Sequence, residues 1–114
     1  DFTWDMWDDE GMEREMSLGY PAPSGFRSGT CRSHPVYSLR HRRPLKLIAY
    51  PTAIMDFGFF GGRYRDLSVE EAITESKKIV DVCRAYGGDL VVLFHPADMR
   101  PPRTTFFEQL LEII

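Results

Sequence analysis

Gly87-Gly88-Asp89-Leu90-Val91-Val92-Leu93-Phe94-His95-Pro96 is the stretch on which the fold turns. Paired glycines close a preceding helix, a run of large apolar residues follows, and a histidine stands where that run meets a proline. A strand can be continuously apolar when its sheet is covered on both faces, because neither face meets water. The expectation is a buried strand whose C-terminal tip reaches the mouth of an α/β domain, where ligands usually sit. His95 is the first candidate for chemistry. The plainer alternative is a strand-end histidine bonded to a neighbouring carbonyl.

On the N-terminal side of this strand, Ser68-Val69-Glu70-Glu71 is a capping-box pattern, in which serine and glutamate satisfy two otherwise orphan amides. Val69, Ala72, Ile73, Ser76, Ile79, Val80 and Cys83 then recur at helical spacing. The spacing predicts a helix over Ser68 to Tyr86. On the other side, beyond Pro101-Pro102, Thr104 or Thr105 is placed to cap a last helix carrying Phe106, Phe107, Leu110, Leu111 and Ile114.

Further upstream, Leu45 to Pro51 favours a pleated, partly buried strand that Pro51 ends or marks as an edge. Pro35 to Leu39 is a second extended segment. Phe26 to Cys31 is a third, with Gly29 suggesting a bulge. Phe2 to Glu10 suits a short helix with one wet face, stopped at Gly11, and Met12 to Met16 a weak strand. Leu18 to Gly25 and Phe57 to Tyr64 are loops, the second lying over the mouth of the domain. The order strand, helix, strand, helix gives the α/β class with right-handed crossovers.

One small domain and one modest core fit 114 residues. A net charge of -3 gives no general attraction for nucleic acid or an anionic membrane, so neither is an expected partner. The positive charge is local, in Arg40-His41-Arg42-Arg43, and reads first as a solvated turn. Cys31 and Cys83 can pair, although two buried free thiols suit their positions better. No apolar run approaches the roughly 20 residues needed to span a bilayer. No signal-peptide pattern is present, but the chain opens on Asp1 within an element, so a preceding part is expected.

Several of these residues carry a resemblance in their order. Ser17-Leu18-Gly19-Tyr20 comes first, then Gly25-Phe26-Arg27-Ser28-Gly29-Thr30-Cys31, then Pro51 with Met55-Asp56, and last the paired glycines before a strand ending in His95. The series resembles the C-terminal part of polysaccharide deacetylases of the NodB-homology type, carbohydrate esterase family 4. The resemblance implies the later half of a distorted (β/α) barrel. It also implies metal-assisted removal of an acetyl group from an N-acetylated sugar, with zinc the expected divalent metal in the complete domain. His95 falls on the position that protonates the leaving amine, and Arg27 in the Gly-Phe-Arg signature is expected to line the site.

The family's paired aspartates and metal-binding histidine motif belong to the earlier half and are not in this sequence. No metal ligand is therefore assigned here, and His34 and His41 do not supply the missing pair. Pro96 stands where asparagine is common, and Glu15-Met16 where an aspartate and a small hydroxyl residue are. The expected partners are an N-acetylated carbohydrate and the missing half of the domain or another copy of the chain. An incomplete barrel leaves edges unpaired, so the chain alone is expected to be weakly stable or associated, and inactive. Tyr20 and Asp56 join Arg27 as candidate substrate-binding residues. Asp56 fits a turn cap equally, and Arg27 a solvated arginine. Tyr20, Phe57, Phe59 and Phe60 fit either a sugar-stacking rim or a plug at the end of a barrel. The second functional class is a non-catalytic α/β module that binds carbohydrate or protein.

Overall fold

The computed structural model describes residues 2–22, 24–62 and 64–114. Among the described residues, five strands and three α-helices give a mixed α/β chain. Helix α1 (Phe2–Asp9) precedes β1 (Arg14–Glu15), β2 (His34–Ser38), β3 (Arg43–Ala49) and β4 (Thr52–Met55). Then come α2 (Val69–Tyr86), β5 (Val91–Leu93) and α3 (Arg103–Ile113), with 3₁₀ turns at Asp56–Gly58 and Pro96–Asp98. In one sheet β3 lies between β1, which is parallel to it, and β2, which is antiparallel. Strands β4 and β5 pair in parallel in a second sheet. Pro51, which has no amide proton to give a ladder, falls between β3 and β4, where the chain leaves one sheet for the other.

Helix α2 forms as its sequence dictates. Ser68 Oγ accepts from the Glu71 amide, the Glu71 carboxylate accepts from the Ser68 amide at 2.8 Å, and Gly87 closes the helix at φ 60°. Ala72, Ser76, Val80 and Cys83 form its buried stripe. The main core joins Ala72 to Ile54, Phe59, Phe60, Phe106 and Leu110, with Leu90, Val92 and Phe94 packed against it. A second core, Val36, Leu45, Leu47 and Ala49, lies under Trp4 and Trp7.

Strand β5 corrects the first expectation. It is three residues long, none of them buried, and Leu93 is 40% exposed. Leu90, Val92 and Phe94 alternate onto the core formed with α2 and α3, so Val91 and Leu93 point the opposite way. Among the described residues β4 is its sole strand partner, and while β4 is buried along Thr52, Ala53 and Ile54, β5 leaves its Leu93 side open.

Three further expectations change. In α1 the helix has one wet face, but that face carries the apolar Phe2 and Met6, 61% and 50% exposed, while the acidic Asp5 is buried. Trp4 and Trp7 pack on the second core, and Phe2 and Met6 lie across the helix from them at 100° per residue. Asp8 Oδ1 on the Trp side accepts from the amides of Lys46 and Leu47 at 2.7 and 2.9 Å, fixing α1 against β3. Residues 26–31 form turns instead of a strand. Helix α3 starts at Arg103 behind Pro102 with no side-chain cap.

Cys31 and Cys83 are buried free thiols. Burial pushes the Cys83 thiol up to about 11, helped by the Cys31 thiol beside it, so it stays protonated at neutral pH. The close approach here is made possible by Gly88. A Cβ on Gly88 would lie 2.3 Å from Cys31 Sγ and 2.8 Å from the Cys31 carbonyl oxygen. That carbonyl accepts from the Asp89 amide at 2.9 Å, so backbone as well as side chain must move. Gly88→Ala is expected to cost about 1–3 kcal/mol in urea unfolding. A cost under about 0.5 kcal/mol, the range of an indifferent surface change, would contradict this packing.

Candidate functional site

Parallel pairing of β4 with β5 sets Met55 opposite Leu93, so both strands end at the same edge. Asp56 follows β4 and opens a 3₁₀ turn; His95 follows β5 and precedes another. Asp56 is fully buried, and its Oδ1 lies 2.6 Å from His95 Nδ1 and accepts from the Phe57 amide at 2.9 Å. Its Oδ2 accepts from the His95 amide at 3.2 Å. The carboxylate thus grips the histidine by ring and backbone together, and it caps its own turn as well.

An arginine at the first residue of α3 completes the group. Arg103 Nε lies 3.4 Å from Asp56 Oδ2, and one terminal nitrogen donates to the Phe60 carbonyl at 3.2 Å. The other terminal nitrogen is 3.9 Å from Asp98. The guanidinium stands 4.6 Å over the Phe57 ring, and that ring is 4.1 Å from the imidazole. The imidazole is therefore packed on one side and bonded at Nδ1.

A cavity of about 510 Å³ opens beside them, with Met55, Phe57, Tyr64, His95, Asp98 and Arg103 among its lining. Because Nδ1 faces a carboxylate, it carries a proton, and Nε2 is the ring nitrogen left for the cavity. A histidine so held, with its side chain 36% exposed, can take or give a proton at Nε2. Aromatic and methionine surfaces supply an apolar wall to the same cavity.

The structure therefore brings His95 and Asp56 into contact. Tyr20 and Arg27 stand elsewhere: neither is part of this lining, and both are exposed. Arg27 donates to the Gly19 carbonyl at 3.3 Å and lines a separate groove with Trp4 and Trp7. Pro21, next to Tyr20, does reach the His95 cavity. Of the loop aromatics, Phe59 and Phe60 are core residues at 1% and 2% exposure, and Phe57 and the edge of Phe60 border the cavity.

Arg103 and Asp98 were not among the residues expected from sequence. Asp98 reads as an ordinary turn residue. Arg103 had a signal, since a cation at a helix start opposes the macrodipole and calls for a partner of its own. The described residues do not fit a metal: no three His, Cys, Asp or Glu side chains converge, and His95 and Asp56 are committed to each other. No described helix is long and apolar enough to cross a membrane. Compared with protein-family models, curated proteins and solved structures, the chain matches none.

Proposed function

We propose that this chain is the later part of a (β/α) barrel of the polysaccharide deacetylase type, and that His95 is its proton donor. The observation that carries the reading is the buried Asp56 carboxylate 2.6 Å from His95 Nδ1, with Nε2 left for a cavity. Water adds to the acetamide carbonyl carbon, its proton passing to a base in the earlier half of the domain; the bond from that carbon to nitrogen then breaks as the nitrogen takes the proton from Nε2, and acetate and the free amine depart. Asp56 stabilises the imidazolium before transfer and holds the ring in place. The substrate class is an N-acetylated carbohydrate, and the apolar wall of Met55, Phe57 and Tyr64 suits the uncharged acetamide.

The exposed side of β5, where Val91 and Leu93 point, is the side that the rest of a barrel would cover. The divalent metal of this chemistry, zinc by the family resemblance, belongs with the half that carries the aspartate and histidine motifs. Tyr20 and Arg27, outside this cavity, would reach the substrate only where it extends past Pro21. The complete protein is expected to release acetate from an N-acetylglucosamine oligomer and to stop when its divalent metal is chelated; the 114 residues alone release none. Oligomer binding without acetate release by the complete protein would replace this reading with that of a binding module. Acetate release by the 114 residues alone would also overturn it.

A further inference from the structure

We propose that Arg103 is a positioning residue that shares the buried Asp56 carboxylate with His95 and so loosens the hold of that carboxylate on the imidazole proton. Asp56 has one negative charge and two positive claimants. Oδ1 is taken by the imidazole and the Phe57 amide, while Oδ2 accepts from the His95 amide and faces Arg103 Nε at 3.4 Å. Guanidinium stays charged at every working pH. Its presence beside Asp56 makes a second positive charge on His95 less favourable than a lone carboxylate would.

Two features argue against a purely structural arginine. Nε is buried without a hydrogen-bond partner, and among the described residues the opposite charge that faces it is the Asp56 oxygen at 3.4 Å. A cation at the first residue of α3 also opposes the helix dipole. The Phe60 carbonyl, the Phe57 ring and Asp98 keep the guanidinium there regardless. Asp98 and Tyr64 are the other titratable groups described on the cavity lining, and Asp98 is shared with Arg100 at 3.8 Å.

The catalytic meaning rests on His95 being the donor, but the coupling is a property of this chain and is tested without turnover. The imidazole of His95 is titrated by NMR in the 114-residue chain, its signals assigned by their loss in His95→Gln. Arg103→Met is expected to raise the His95 midpoint by about one pH unit, with His34 and His41 unmoved. Arg103→Lys, which keeps the charge, is expected to titrate close to the parent. Should Arg103→Met lose the fold, Arg103→Gln keeps a donor for the Phe60 carbonyl without the charge and gives the same rise. A folded neutral variant whose midpoint stays or falls would overturn the proposal. A raised midpoint in the chain, with no acetate released by the complete protein, would uphold the coupling and remove the deacetylase reading.

Discussion

Phe106→Ala is expected to cost about 3–5 kcal/mol, which for a domain of this size is a large part of its whole stability. Phe106 is fully buried, and three aromatic rings meet it: Phe59 at 5.2 Å, Phe60 at 5.4 Å and Phe94 at 5.7 Å. Phe59 and Phe60 come from the segment after β4 and Phe94 from just beyond β5, so one side chain on α3 ties together the elements that hold the site. Truncation leaves a cavity among rigid rings that cannot collapse into it, and edge-to-face contacts are lost with the area. The thermal midpoint should fall by roughly 15 °C. Leu111→Ala, at a position 53% exposed on the same helix, should stay within about 0.5 kcal/mol. A loss under about 1 kcal/mol at Phe106 would mean that the three elements are held by other contacts.

How much of this was legible in the sequence differs between elements. Helix α2 carried its own boundaries in Ser68, Glu71 and Gly87, and the structure uses all three. The run Leu90 to Phe94 announced a strand but not its surroundings. An apolar run records that burial is compatible with both faces, while the number of faces covered depends on partners distant in the chain. Strand β4 was missed because it is four residues long and follows Pro51 at once, so its start looked like the end of β3. Without β4 the contact of Asp56 with His95 could not be read. They are 39 positions apart and meet through parallel pairing, which leaves no local signature. In α1 the two tryptophans at a spacing of three decided the buried face against Phe2 and Met6. The larger rings cover more of the second core, and Asp8 binds β3 on the same side.

Asp56→Asn is expected to lower acetate release by the complete protein about 10²–10⁴-fold on the deacetylase reading. His95→Gln should do the same, and the double variant should lose little more than either. The carboxylate has no role at the substrate in this arrangement: it is fully buried and reaches the cavity through the imidazole. Asparagine keeps the shape and loses the charge. If its amide nitrogen faces Nδ1, the ring holds its proton at Nε2 as neutral imidazole, a poor acid; if its oxygen does, the imidazolium lacks a counterion. Either way the donor is gone, which is why losses that act through one group do not add. The stability of the chain should fall by about 3 kcal/mol as well, since Arg103, 13% exposed, loses the closer of its two carboxylates and keeps only Asp98 at 3.9 Å. Assays therefore belong at a temperature where the variant's spectrum is that of the folded parent. Multiplied losses in the double variant would show Asp56 and His95 working separately, and His95 would revert to a strand-end histidine with a convenient neighbour.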